Sequence, residues 1–109
     1  MIYYDFAKEF SAVPGPRNEK IGPNSGERFR EEVLESLFQE NTPIEIDISG
    51  TVISFGPSFL SASFGKIAIE LGKDRFYEII HFKEDTMKNI KFKQLVEKSI
   101  DSAIKRSKG

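Results

Sequence analysis

The alternation of apolar and polar residues along the chain predicts three β-strands. Residues 2–6 are rich in aromatic and β-branched side chains, a composition that is typical of strands. In residues 44–48 isoleucine alternates with polar residues, and this period of two indicates a strand with one buried face. The aromatic and branched residues of segment 76–82 predict a third strand.

Three further segments carry apolar residues at helical spacing. The first covers residues 27–39, with Ser25 as its N-cap. The second begins at Pro57 or Ser58 and ends at Gly72, because proline suits the first helical turn and glycine suits the position after the last. The third runs from about residue 86 to residue 106. Its predicted inward face consists of Phe92, Leu95, Val96, Ser99, Ile100 and Ala103.

The order of these elements predicts the fold class. Prolines and glycines between residues 13 and 26 predict a long loop before the first helix, so the order is β-loop-α-β-α-β-α. Strands that alternate with helices favour an α/β fold in which helices back a small sheet. A length of 109 residues suits one domain, residues 1–109, with a core of its own.

Composition excludes several kinds of site. The chain has no cysteine and one histidine, which excludes disulfides, cysteine-ligated zinc, iron–sulfur clusters and thiol catalysis. We therefore expect no metal and no cofactor. No apolar run is long enough to cross a bilayer, and the first residues do not resemble a secretory signal, so we expect a cytoplasmic protein without membrane contact.

Charge is distributed unevenly. Residues 1–87 contain 9 Lys/Arg and 15 Asp/Glu, whereas residues 88–109 contain 7 Lys/Arg and 2 Asp/Glu, a balance of +5. A solvated helix face explains this basic end, since lysines suit a helix C-terminus and no aromatic or arginine-rich pattern accompanies them. The alternative is nucleic-acid binding through Lys105, Arg106 and Lys108.

No catalytic constellation is visible, so we expect a protein that is not an enzyme. His81 lies in a predicted strand and lacks an orienting partner. Glu31, Glu32 and Glu35 crowd one helix, where neighbouring arginines can pair with them at the surface. An enzyme that holds an anionic substrate with Arg17, Arg28 and His81 is a weaker alternative, because no known spacing supports it.

Ser58 is the hydroxyl of greatest interest. It lies where the chain turns through Gly56 and Pro57 into a helix, and a phosphate there would be stabilised by the helix N-terminus while adding charge at a surface turn. The simpler interpretation is that Ser58 caps the helix.

The same residues carry a family resemblance. Four motifs occur in order between residues 13 and 82: Pro14-Gly15-Pro16-Arg17, Ser25-Gly26-Glu27-Arg28-Phe29-Arg30, Ser58-Phe59-Leu60 and Phe64-Gly65. In this the chain resembles the STAS-like family of bacterial and phage proteins, a domain of unknown function related to the anti-sigma-factor antagonists. The resemblance implies a small mixed sheet backed by helices and a docking role without catalysis. In the antagonists a partner kinase phosphorylates a serine at the strand-to-helix turn and breaks the complex; Ser58 is the nearest equivalent.

Two positions depart from the family pattern. The antagonists have an Asp-Ser-Ser/Thr-Gly turn, whereas this chain has Phe55-Gly56-Pro57-Ser58. STAS-like members often carry an acidic pair after the Ser-Phe-Leu element, and Ser61 and Ala62 stand there in this chain. Ser61 and Ser63 are alternative hydroxyls.

The resulting hypothesis is a non-catalytic regulatory or protein-interaction domain, switched by phosphorylation at Ser58, whose partner is an ATPase-type kinase or regulator. The candidate partner-binding residues are Arg17, Arg28, Phe55, Gly56 and Phe59. The two phenylalanines would serve as anchors if they are exposed, and as core residues if they are not.

Overall fold

A computed structural model describes residues 1–16, 20, 22, 24–52 and 55–108 of the chain. The described residues form, in order, strand β1 (Ile2–Asp5), helix α1 (Phe6–Glu9), helix α2 (residues 26–39), strand β2 (Ile44–Asp47), helix α3 (residues 57–71), helix α4 (Lys73–Ile79), strand β3 (Ile80–Phe82) and helix α5 (Met87–Lys108). The predicted α/β fold, in which helices back a small sheet, is confirmed.

Strand β2 is the centre of a three-stranded sheet and pairs in parallel with both β1 and β3. The register places Ile44 beside Ile80 and Ile46 beside Phe82, and these four side chains are buried. Glu45, the residue between Ile44 and Ile46, lies on the opposite face of the sheet and is only half-buried. The period-two prediction for residues 44–48 therefore identified the core face correctly. All three described strands run in one direction, so the sheet that they form is parallel, whereas the resemblance implied a mixed one.

Helices α2 and α3 each contain a π-helical turn. In α2 it spans Arg30–Leu34, between α-helical Gly26–Phe29 and Glu35–Gln39. In α3 it spans Ser61–Gly65, between α-helical Pro57–Leu60 and Lys66–Leu71. A π turn inserts a residue into the helical repeat, so side chains five apart come to lie on one face. The buried pairs Phe29 with Leu34 and Phe59 with Phe64 have this spacing.

Segment 76–82 differs from its prediction as a single strand. Its first four residues belong to α4, and only the last three form β3. Gly72, with φ of 90°, separates α3 from α4 as a glycine can at little steric cost. Phe76 and Ile79 are both buried because they are three residues apart on one helix face. Their apolar character reflects burial on a helix, which composition alone does not distinguish from a strand.

Helix α5 extends over nearly the predicted range, and its inward face differs at two positions. Leu95, predicted to face inward, is 46% exposed. Asn89 is buried and belongs to the inner face. The predicted core residues Phe92, Val96 and Ile100 are buried. The buried face of α5 is therefore narrower than the sequence pattern predicts, because it does not include Leu95.

The core is built mainly from phenylalanine. Nine of the ten phenylalanines are buried, and the tenth, Phe10, is half-buried against them. The Phe6 and Phe29 ring centroids lie 5.1 Å apart, and those of Phe55 and Phe92 lie 4.6 Å apart. Such pairs contribute about 0.5–1.5 kcal/mol each beyond the area they bury. The rings join α1, α2, α3 and α5 into one cluster.

Gly26 allows α2 to approach the backbone of α3. A Cβ at this position would overlap the carbonyl oxygen of Phe59 and lie 3.0 Å from its Cα. The obstacle is main chain, so a rotamer change cannot relieve it. The first turn of α2 therefore requires glycine.

We expect Gly26→Ala to lower the free energy of unfolding by about 3 kcal/mol, near the top of the range for overpacked sites. Gly56→Ala is the matched control, since a Cβ there has nothing within 4 Å. Its cost should be about 0.5–1 kcal/mol, from the weaker N-cap. Urea unfolding of both variants measures the difference, and equal losses would show that the two helices can separate without cost.

Asp47, the last residue of β2, ties the sheet to α5. Its Oδ1 accepts hydrogen bonds from Asn89 Nδ2 and from the Ser49 amide, each 2.9 Å long, while Asn89 Oδ1 accepts from the Ile48 amide at 2.8 Å. Burial by itself would raise the pKa of the Asp47 carboxyl. The hydrogen bonds from Asn89 and Ser49 and the charge of Lys83 outweigh burial and lower this pKa to about 2.

The lowered pKa predicts a pH-dependent contribution to stability. Because the pKa of Asp47 falls from 3.8 to about 2 on folding, its carboxylate stabilises the fold above about pH 4, and that contribution is lost as pH falls toward 2. The stability difference between the native chain and Asp47→Asn should therefore shrink between about pH 5 and pH 2. Urea unfolding across this range tests it, with Glu40→Gln as the control for loss of one charge; a constant difference would contradict it.

Candidate functional site

An open groove lies between α3 and α5. It has a volume of about 1040 Å³. The buried side chains of Phe55 and Leu60 contribute apolar surface to it, and the exposed side chains of Ile69 and Leu95 extend that surface to solvent. The remaining lining residues are Glu27, Arg30, Pro57, Ser58, Ser61, Ala62, Lys66, Glu70, Lys98, Ser99, Ser102 and Arg106.

Ser58 lines this groove as the second residue of α3. Gly56 is the N-cap, with an extended backbone (φ −81°, ψ 157°), and Pro57 occupies the first helical position. The hydroxyl of Ser58 is exposed and makes no hydrogen bond to any residue that the structure describes. Ser58 therefore does not cap the helix, and that simpler interpretation of its position is wrong. Nearby, Ser61 is half-buried in the groove, whereas Ser63 is buried and donates to the Phe59 carbonyl at 2.7 Å.

The two phenylalanines beside Ser58 belong to the core. Phe55 is 8% exposed and Phe59 is 1% exposed. Phe59 contacts the rings of Phe6 and Phe29, so it is not available as an exposed anchor. Phe55 contributes to the groove from beneath, and Gly56 is exposed at the turn.

The arginine candidates have different positions. Arg17 lies outside the described residues. Arg28 lies on α2, where it donates to Glu32 at 3.0 Å and to Asn24 Oδ1 at 2.9 Å and covers the Phe10 ring, 4.6 Å from its centroid. These partners hold Arg28 against its own helix and the preceding loop, and it does not line the groove. The structure therefore does not bring Arg28 together with Ser58.

Arg30 is a groove residue that the sequence analysis missed. It is 9% exposed, and its Nη1 donates to the Ala62 carbonyl at 2.6 Å. Both residues lie within π-helical turns, where the regular ladder of backbone hydrogen bonds is interrupted. Glu31 and Glu35 accompany the guanidinium at 3.7 and 3.4 Å. In the sequence, an arginine next to glutamates indicates an ion pair at the surface. Only the packing of α2 on α3 reveals that Arg30 is buried and that it contacts the Ala62 carbonyl.

Basic side chains lie along the groove and at the end of α5. Lys66, Lys98 and Arg106 line the groove and are exposed. Lys105 and Lys108 are also exposed on the last turns of α5, but they do not line the groove. The predicted nucleic-acid residues are thus all at the surface, and of these Arg106 belongs to the groove.

The other candidate groups are held in structural contacts. His81 is half-buried, and its Nε2 lies 3.2 Å from the Glu78 carbonyl oxygen. Glu32 pairs with Arg28, as predicted for the carboxylates of this helix.

The described part of the chain contains no cluster of three or more His, Asp or Glu side chains suited to a metal ion. Among its helices none is long and apolar enough to cross a membrane.

We expect Arg30→Met to lower the free energy of unfolding by about 1–3 kcal/mol, because the Ala62 carbonyl loses a charged donor in a half-buried place. Arg106→Met is the control, since this arginine lines the same groove but is exposed, and its effect should stay within about 0.5 kcal/mol. Urea unfolding compares the two, and an equal response would contradict a structural role for Arg30.

Comparison with known protein families identifies a match. A family model described as "STAS-like domain of unknown function (DUF4325)" matches residues 25–89. That span runs from the N-cap of α2 to the first turn of α5 and includes Ser58 and the turn before it. No curated protein and no solved structure matches the chain. The family match covers more than half of the chain, and the structure has the α/β fold that the resemblance implied. The chain therefore belongs to the family of STAS-like domains of unknown function.

Proposed function

We propose that the chain is a non-catalytic regulatory domain of the bacterial cytoplasm that binds another protein at the groove between α3 and α5. One observation carries this proposal: the exposed hydroxyl of Ser58 lines the same groove as the exposed apolar side chains of Ile69 and Leu95. Apolar surface that stays in contact with water beside polar groups is typical of an interaction site.

The contacts that His81 and Arg28 make within the fold support a role without catalysis. The ring of His81 contacts a backbone carbonyl, and Arg28 is held by Glu32 and Asn24. A general acid or base needs to reach a substrate pocket with an orienting partner. Neither His81 nor Arg28 lines the groove.

Phosphorylation at Ser58 would act directly on this surface. A phosphate there adds a charge of about −1.5 to −2 at the N-terminus of α3, where the helix dipole favours it. The modification changes the charge of the groove while leaving the core untouched, because Ser58 is exposed. We therefore propose that an ATPase-type kinase or regulator is the partner and that modification of Ser58 releases it.

The test is affinity capture from native cells, quantified by mass spectrometry, with wild type, Ser58→Ala and Ser58→Glu as baits. We expect wild type and Ser58→Ala to retain one dominant partner protein, and Ser58→Glu to retain at least about tenfold less of it, by electrostatic repulsion or lost docking. Phosphate should map to Ser58 in the unbound pool.

Ser36→Glu is the matched control, since Ser36 is exposed on α2 and does not line the groove. Its captured proteins should equal those of wild type. If Ser58→Glu captures the same partner equally well, the switch is wrong. Loss of the partner from Ser36→Glu as well would indicate a general effect of added charge.

Nucleic-acid binding is the second candidate, because Lys105, Arg106 and Lys108 are all exposed on the last turns of α5. It predicts retention on DNA or RNA that falls steeply with salt and is lost when these three residues are changed to glutamine. Elution of the protein from DNA or RNA at low salt, without preference for any sequence, would argue against nucleic-acid binding.

A further inference from the structure

The apolar face of α5 extends beyond the part of the helix that the core covers. Leu95 lies three residues after the buried Phe92 and directly before the buried Val96, so the sequence places it beside the inner face. It is nevertheless 46% exposed and lines the groove. On the other wall, Ile69 of α3 is 45% exposed. Two large aliphatic side chains from different helices thus border the same opening, above the buried Leu60.

The groove has the length of a short helix. Along α5 it extends from Leu95 to Arg106, a span of eleven helical rises, or about 16.5 Å at 1.5 Å per residue. An occupant that lies along this wall would use about three helical turns. Helices commonly bind such grooves by placing one apolar face between two helices of the receptor.

The charged side chains of the groove favour an acidic occupant, because the four cations Arg30, Lys66, Lys98 and Arg106 outnumber the two carboxylates Glu27 and Glu70. Lys66, Lys98 and Arg106 are exposed, and none of them forms an ion pair with a carboxylate among the residues that the structure describes. Arg30 also lines the groove, but Glu31 and Glu35 already accompany it. The wall formed by α5 contributes Lys98 and Arg106 to the lining and no carboxylate.

We propose that this groove receives an acidic amphipathic helix of about three turns from a partner protein. This inference rests on the proposed interaction role and adds the chemistry of the partner. Aliphatic side chains of that helix cover Ile69 and Leu95, and its flanking carboxylates meet Lys66, Lys98 and Arg106. Charge complementarity of this kind accelerates encounter and selects the partner.

Two other occupants fit the groove less well. A second copy related by twofold symmetry would bring two identical basic walls together, and like charges facing each other are unfavourable. Nucleic acid would meet the aliphatic side chains of Ile69 and Leu95, and among the described residues that line the groove no exposed aromatic side chain is present for base stacking.

The position of Ser58 connects this occupant with the proposed switch. Ser58 lines the same groove as Lys66 and Lys98. A phosphate on Ser58 would place a charge of about −1.5 to −2 where the acidic helix binds, so it would repel the carboxylates of the partner. The same three lysine and arginine side chains would then be attracted to the phosphate.

The experiment uses the full chain and three labelled synthetic peptides of about 18 residues, long enough for measurable helicity. One carries leucine at i, i+3, i+4 and i+7 with glutamate on the flanks. The second has lysine in place of glutamate, and the third has the composition of the first in scrambled order. By fluorescence anisotropy we expect micromolar Kd for the first peptide and binding at least about tenfold weaker for the other two.

Variants on one helix locate the binding site. We expect Leu95→Asp and Lys98→Glu each to weaken the acidic peptide at least about tenfold, through lost apolar contact and reversed charge. Met87→Asp and Lys91→Glu are the matched controls, because both residues are exposed on α5 and neither lines the groove. Their Kd should remain within about twofold of wild type.

Each alternative outcome has a definite meaning. Equal binding of the three peptides, or binding unaffected by Leu95→Asp, overturns the proposal. So does a dimer in solution that Leu95→Asp abolishes, or DNA that competes with the acidic peptide for the groove. If the peptide binds as expected but Ser58→Glu captures partners normally, the occupant is correct and the switch is wrong. If Ser58→Glu loses its partner while no peptide binds, the interaction role survives and this occupant does not.

Discussion

The packing of α3 between α2 and α5 is the constraint on which the other features depend. On one side, Gly26 brings α2 against the backbone of Phe59. On the other, a Cβ added at Gly65 would lie 3.4 Å from the Cβ of Ala103 on α5. Small residues at both crossings let three helices lie close together, and the phenylalanine rings fill the space that remains between them and the sheet. Because α3 is enclosed in this way, its central residues Ser63, Phe64 and Gly65 are all buried.

The groove follows from the same arrangement. Helix α3 is covered where α2 crosses it, but its first two residues, Pro57 and Ser58, and the side that carries Ile69 face solvent next to α5. The two π-helical turns meet beside the groove, where Arg30 satisfies the carbonyl of Ala62. The groove therefore combines the buried side chains of Phe55 and Leu60 with an exposed rim that includes Ser58, Lys66, Lys98 and Leu95.

Part of this site could be predicted from sequence. The Gly-Pro-Ser turn identified Ser58 as an exposed residue at a helix start, because glycine and proline restrict the local backbone wherever they occur. Arg30 could not be identified, since its partner is a carbonyl 32 residues away and the π turns that align them leave no mark in composition. Leu95 was predicted to be buried for a related reason: helical periodicity shows which face is apolar, but not how much of that face the neighbouring elements cover.

By itself the sequence determined the order of the three strands and of the three longest helices, the α/β class, the buried face of β2 and the span of α5, because these depend on local periodicity and on turn residues. It also carried the family motifs that the match over residues 25–89 confirms. Only the tertiary structure decided that residues 76–79 are helical, that Phe55 and Phe59 are core, and that Ile69 and Leu95 border one groove. The reason is physical: burial and proximity are properties of how helices pack, and packing joins residues that the chain separates.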